Sequence, residues 1–304
     1  MTADPALSQQ IQPAEPAIEV WSGEEGVFSR LHAGGLDAVG IDGIKVSVTA
    51  AFFHGPPAAT ALASPTGDTA GGFFVVWENG TATGQGTILG RRLDTHGLPQ
   101  GEEIAVSQET AGPRSSPRVA LDGAGTLWIA WQDHRADTVD PDIWARRFDG
   151  AGAPLGPEFL VNAGPAQRLG FQTGPVPVAH ANGDVSVVWD TFVLTGRGGS
   201  EGLHAQRFDA AARPLGEPVS LHAGTSLGLS AEVSRDGAGR LLLRWTTLGP
   251  DDATVPRARL FEDATWQPLG EPFDLDTTAS LPRSPATRPA TPGEIAAGLP
   301  AGDF

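Results

Sequence analysis

Five tryptophans, each closing an apolar run, recur at a spacing that leaves few architectures open. They end Val20-Trp21, Phe73-Phe-Val-Val-Trp77, Leu127-Trp-Ile-Ala-Trp131, Val185-Ser-Val-Val-Trp189 and Leu241-Leu-Leu-Arg-Trp245. Successive anchors lie 56, 54, 58 and 56 residues apart. A period in the fifties is too long for a leucine-rich or helical-pair repeat and fits one propeller blade. Around each anchor the other strands of a blade can be read. An extended segment such as Pro117-Arg-Val-Ala-Leu-Asp122 comes first, then a tight turn (Gly123-Ala-Gly125, or Asn182-Gly183-Asp184), then the Trp strand. Asn-Gly is a strong hairpin signal, and a Trp strand apolar along most of its length is expected to be covered on both faces.

The second half of each unit is equally regular. A third strand ends Arg91-Arg-Leu-Asp94, Arg146-Arg-Phe-Asp149 or Gln206-Arg-Phe-Asp209. From Arg92 to Pro99, Arg147 to Pro154 and Arg207 to Pro214 the distance is seven residues, whereas Arg259 to Pro268 is nine, so the last unit carries a small insertion. Short edge strands come next at Glu103–Val106, Glu158–Val161 and Glu217–Leu221, where Pro218 is tolerated because an edge can lose a donor. The 40 Gly and 26 Pro among 304 residues suit many short strands joined by turns.

The first unit, with Trp21, lacks a preceding strand. The C-terminal stretch 293–304 resembles the first strand of a unit and stops where a Trp strand should begin. The expectation is therefore an all-β fold: a five-bladed β-propeller of four-stranded antiparallel blades, its ring closed by N- and C-terminal strands in one blade. Residues 1–17 read as a flexible N-terminal arm and 18–304 as a single propeller domain. Its closing blade combines 18–48 with 293–304, and 277–292 form a linker.

The run Arg146-Arg-Phe-Asp-Gly-Ala-Gly-Ala-Pro-Leu-Gly-Pro-Glu-Phe-Leu-Val-Asn162, with the Gly72-Phe-Phe-Val-Val-Trp77 type of strand, resembles the propeller-type repeats of large secreted or cell-surface bacterial proteins. That resemblance covers roughly 18–304 by periodicity and implies adhesion or display outside the cell.

Charge and composition exclude several classes. The net charge is −16, with Lys45 the single lysine, and such a surface repels phosphate backbones, so no nucleic-acid partner is expected. Without cysteine there is no thiol catalysis, thiolate metal site or disulfide. No run approaches 18 apolar residues, so the chain is not expected to span a membrane. No Sec-type signal is visible at the first residues. The location expected is extracellular or cell-surface, with a cytoplasmic one left open.

Function is expected on the loops joining second to third strands, which differ most between units. The residues after the anchors, Glu78, Asp133 and Asp190, could set carboxylates around one channel, as glycoside hydrolysis requires, or simply solvate a rim. A ligand surface would add His134, Phe192 and Arg197, with Phe52, Phe53 and Trp266 as further aromatics. In the loop after Trp131, Asp133, Asp137, Asp140 and Asp142 offer oxygen ligands suited to calcium, though Asp-rich turns also cap without metal, and no cofactor is otherwise called for. The Arg-Arg pairs are expected to split, one pairing with a carboxylate and one facing solvent. The leading expectation is a non-catalytic extracellular propeller binding a protein partner or a surface glycan through its loop face. The alternatives are a glycan-acting hydrolase using channel carboxylates, or a structural subunit of a larger extracellular assembly.

Overall fold

In the computed structural model of the chain, residues 17–23, 25–32, 44–49, 51, 53–62, 71–82, 84–109, 111–135, 140–164, 170–195, 198–223, 231–235, 239–248, 254–263 and 265–275 are described. They form strands in five antiparallel sheets, with no helix among them. Accordingly, no helix there is long and apolar enough to cross a membrane. Sheet I contains β1 (Ala17–Gly23), β2 (Gly26–His32) and β3 (Ile44–Lys45). Sheet II has two short inner pieces, β4 (Phe53–His54) and β5 (Ala58–Ala61), both pairing with β6 (Phe73–Gly80), followed by β7 (Gly86–Leu93) and β8 (Pro99–Ala105). Sheet III is β9 (Arg114–Leu121), β10 (Leu127–Asp133), β11 (Asp142–Phe148) and β12 (Phe159–Leu160). Sheet IV is β13 (Phe171–Ala179), β14 (Val185–Thr195), β15 (Gly198–Phe208) and β16 (Val219–Ala223). Sheet V is β17 (Glu232–Arg235), β18 (Arg240–Leu248), β19 (Thr254–Glu262) and β20 (Phe273–Asp274).

Alternation along each Trp strand builds the interior. In β6, Phe73, Val75 and Trp77 enter a cluster with Ile18, Val27 and Val46 of sheet I, whereas Phe74 and Val76 enter one with Ile129 and Trp131 of sheet III. The same division repeats onward: Trp128 and Ala130 meet Val187 and Trp189, and Val188 meets Leu243 and Trp245. Because successive side chains point to opposite faces, every anchor from Trp77 to Trp245 packs back onto the preceding sheet. Each sheet is thus both floor and ceiling. At the two ends, Trp21 is only half-buried on sheet I, and Leu242, Ala258 and Leu260 form a separate cluster on the far face of sheet V. The expected closing segment, 293–304, lies outside the described residues, and among those residues β1 pairs on one side only, with β2.

The turn after the third strand keeps its Pro in register, with Leu93, Phe148, Phe208 and Phe261 opposite Pro99, Pro154, Pro214 and Pro268. This corrects the sequence alignment of the last unit. Phe261 is the equivalent of Phe148, so Leu260 stands where Arg147 does and the insertion is one residue, absorbed at a turn where Trp266 takes a φ of 56°. The first arginine of each pair also differs from expectation. Arg91 Nη1 donates to the Val46 carbonyl (2.7 Å) and Arg146 Nη1 to the Val106 carbonyl (3.1 Å), each tying its sheet to the preceding one through backbone rather than a carboxylate.

The register also defines levels around the axis. Ala58, Arg118, Val176 and Glu232 on the inner strands pair with Val76, Ala130, Val188 and Arg244, each the residue before its anchor. Immediately above that level the inner strands bulge: the register slips between Ala130 and Gln132 in sheet III and between Thr173 and Val176 in sheet IV. Ser116 (φ 53°) and Gly174 (φ 60°) occupy the bulges in left-handed conformation, and Pro56-Pro57 fill the corresponding gap in sheet II. Bulges re-aim side chains and recur beside functional sites, and a non-glycine residue at positive φ is strain that the surrounding structure must hold.

Trp131 is fully buried between sheets II and III. Trp131→Ala is expected to cost about 3–5 kcal/mol in urea unfolding; a loss below about 1 kcal/mol would mean that the anchor does not carry the inter-sheet packing.

Candidate functional site

The bulges place one carboxyl unusually. Glu78 comes directly after its anchor on β6, opposite Gly55, whose N–H donates to the Glu78 carbonyl (3.1 Å). A β-carbon at position 55 would lie 2.4 Å from Glu78 Oε2, so only glycine there lets the side chain lie against the inner strand. Glu78 is 7% exposed, and among the described residues no cation or hydrogen-bond donor meets its carboxyl. Burial, with nothing to offset it, pushes the carboxyl from 4.5 to about 7. A carboxylic acid that holds its proton near neutrality is equipped to donate it.

Asp133, expected as a catalytic carboxylate or metal ligand, is the contrast: it is engaged in a buried ion pair. Its Oδ2 accepts from Arg114 Nε (3.2 Å) and Trp131 Nε1 (3.2 Å), with Arg135 Nη2 at 3.5 Å. Burial pushes its carboxyl up, while Arg114, the Trp131 bond and Arg135 pull it down. Arg114, fully buried, also donates to the carbonyls of Gly86, Gly112 and Ala111 (3.0 Å each), so the pair pins sheet III to sheet II. Asp142 sits opposite Asp133 in the ladder, but its Oδ1 accepts from Asn162 Nδ2 (2.7 Å). Asp140 is half-buried, and Asp137 lies outside the described residues. No set of three or more His, Asp or Glu side chains that could hold a metal ion comes together among the described residues.

The remaining sequence candidates are scattered. Asp190 and Phe192 are not on a loop: β14 and β15 pair without interruption from Val185↔Phe208 to Thr195↔Gly198. Asp190 is buried, in the same register as Glu78 but opposite Thr173 instead of glycine. Phe192 is half-buried and tilted against Phe171 (6.3 Å), so it is no free stacking platform. His134 is half-buried and donates its backbone N–H to the Pro113 carbonyl (3.0 Å). Of the other aromatics, Trp266 is buried, the side chain of Phe53 is not described, and Phe52 and Arg197 lie outside the described residues.

Sequence reasoning passed over the charged level below the bulges. Glu232 is the one carboxylate on the described inner strands, ion-paired with Arg244 (2.8 Å) and acting electrostatically on Arg118 of sheet III. The signal was present in the repeat, since Arg118 and Glu232 occupy the column that holds Ala58 and Val176 in the other units.

At the opposite face, His180 Nδ1 is 2.7 Å from Asp263 Oδ1 and its Nε2 is 2.7 Å from Ser186 Oγ. The connectivity is that of a serine nucleophile with its base and orienting acid. Ser186, however, is fully buried and its Oγ already accepts from Trp266 Nε1 (2.9 Å), so no acyl group can reach it. The cluster latches sheet IV to sheet V.

No protein-family model and no curated protein sequence matches the chain. Among solved structures, the fold matches the α-L-arabinanase of Penicillium chrysogenum complexed with arabinobiose, at a TM-score of 0.51 and 13% identity, over 87% of this chain and 81% of that one. The endo-arabinase of Bacteroides thetaiotaomicron matches at a TM-score of 0.48 and 13% identity, over 82% and 92%. The α-L-arabinofuranosidase of Podospora anserina, in complex with cellotriose, matches at 0.41 and 13% identity, over 66% of this chain and 64% of that one, so less than two thirds of that enzyme is spanned. At such identities the likeness is one of fold. That fold is shared with a glycan hydrolase, which corrects the expectation of a non-catalytic binding and display propeller and favours its hydrolase alternative.

Two measurements check this assignment of roles. For Glu78, the folded chain keeps a proton that the unfolded chain has lost between pH 4.5 and about 7, so its contribution to stability is complete below that window and declines as pH rises through it. Melting temperatures of wild type and Glu78→Gln should therefore diverge across that window, the variant lacking the decline; parallel curves would show the carboxyl to be solvated. For Asp133, Arg114→Met alone should cost about 3–5 kcal/mol by stranding a buried carboxylate, and adding Asp133→Leu should recover part of it. A double variant no more stable than the single would remove the pin.

Proposed function

We propose that the protein is a glycan-acting hydrolase with Glu78 as its general acid. The observation that carries this reading is the Glu78 carboxyl, buried over Gly55 and pushed up to about 7 with no cation beside it. The shared fold with an arabinanase supports it, and makes arabinan the first polymer to try. Glu78 donates its proton to the glycosidic oxygen as the carbon–oxygen bond breaks. Glu232 is the second carboxylate, placed on the inner strand of a sheet that is not a chain neighbour of sheet II. In this reading Glu232 activates a water for attack on the anomeric carbon. In the same reading the enzyme works outside the cell and the ring is closed.

A panel of polysaccharides including arabinan should reveal one that is cleaved. Glu78→Gln and Glu232→Gln should each lower kcat on it by about 10²–10⁴-fold without unfolding the chain. The wild-type rate should fall as pH rises through about 7, where Glu78 loses its proton, and this limb should be missing in Glu78→Gln. Turnover that survives Glu78→Gln with its pH profile unchanged would remove the reading.

A further inference from the structure

From the Arg118 level downward, on the side away from the bulges and Glu78, the inner strands line a cavity of about 440 Å³. Its walls are mostly apolar and come from the inner strands of four sheets, with Ala61, Ala120, Leu121, Val178 and Val233, and from Leu241 on β18. The charged residues that line it are Arg118 and Arg235, in a chain whose net charge is −16. Arg235, at the end of its strand, is occupied: its Nη2 donates to Asp263 Oδ1 (2.7 Å) and the Ala179 carbonyl (2.6 Å). Arg118 is not. Its Nη1 donates to the carbonyl of the adjacent Pro117 (3.1 Å), and no carboxylate among the described residues lies within ion-pair distance. Glu232, the nearest in electrostatic effect, is itself bound to Arg244. Burial has already pushed the Arg118 guanidinium below its usual value.

A half-buried cation with no carboxylate at ion-pair distance, on the wall of an apolar cavity, is costly unless an anion completes it. A planar fork with free donors fits a carboxylate bidentately. The apolar walls then select the group that the carboxylate carries, and a cavity of this volume lies in the range of small-molecule sites built from apolar surface and a few convergent polar groups. We propose that this cavity is a second ligand site, separate from the hydrolytic one, that takes a small amphipathic carboxylate with its head on Arg118 and its apolar tail along Val178, Val233 and Leu241. Sugar polymers fit it poorly because few wall residues can hydrogen-bond hydroxyls, and free phosphate fits poorly because it leaves the walls empty.

Three probes separate head from tail in isothermal titration of the full chain: octanoate, octanol and acetate. Octanoate should bind at least tenfold more tightly than either of the others, and Arg118→Gln should weaken it at least tenfold at an unchanged melting temperature. Ala120→Phe, which fills the cavity from its wall, should abolish binding. Equal binding of octanoate and octanol would overturn the role of Arg118, and equal binding of octanoate and acetate would overturn that of the walls. Octanoate binding untouched by Ala120→Phe would place the ligand elsewhere. If Arg118→Gln fails to fold, the three-probe comparison and Ala120→Phe decide the matter on their own. Arabinan cleavage by the wild type tests the hydrolase reading separately, since either result can stand without the other.

Discussion

Everything in this molecule depends on the contact that each Trp strand makes with the sheet before it. A strand has two faces, and in β6 both are apolar, so the sheet cannot be stable with either one in water. Stacking is the only way to cover both, and it repeats until the chain runs out of sheets. Trp77, Trp131 and Trp189 are fully buried, the widest side chains at each junction. Their size sets how far apart neighbouring sheets stand. The cavity between the inner strands is therefore a consequence of the packing, and its lining is whatever those strands carry at each level.

On such a scaffold, regular pairing alone would aim the inner-strand side chains uniformly. The bulges at Ser116, at Gly174 and across Pro56-Pro57 interrupt this at one height in three sheets. Above the interruption the polar residues next to the anchors are set against the inner strands, and below it the inner strands pair regularly again. The strain at Ser116 is maintained by the same inter-sheet contacts, since Arg114 two residues earlier is fastened to three backbone carbonyls. Packing energy thus holds a conformation that local preference would not choose.

The architecture was legible because it rests on periodicity. The anchor spacing located all five Trp strands, and the Arg-to-Pro distance located three of the turns beyond them. The failures have a common cause. Residues 190–201 look like a loop because they are polar and glycine-rich, but a hairpin needs only backbone pairing to continue, and β14 and β15 carry on through them. Arg114 was passed over because nothing in its neighbourhood names Asp133 as its partner, which lies 19 residues away on the next strand. Arg118 and Glu232 were legible in principle as charged intruders in an apolar repeat column. Seeing them required the bulge, because the register that aligns the columns shifts there. Closure, argued from 293–304, rests on residues outside those described.

Glu78 and Asp133 show why the carboxyls could not be ranked from sequence. Both come just after a Trp anchor, both are buried, and burial pushes both upward. What separates them is a single step along the strand. Asp133, two residues past its anchor, shares the anchor's face and so meets the indole N–H and the inter-sheet arginine. Glu78, one residue past, turns to the other face and meets a glycine. On the anchor's face a carboxylate is recruited to hold sheets together, and its charge is neutralised by the partner that makes it useful there. On the other face no such partner is supplied, and burial pushes the carboxyl up to about 7. The same alternation that sends tryptophan into the core therefore decides which carboxyl is paired with an arginine and which is pushed upward by burial alone.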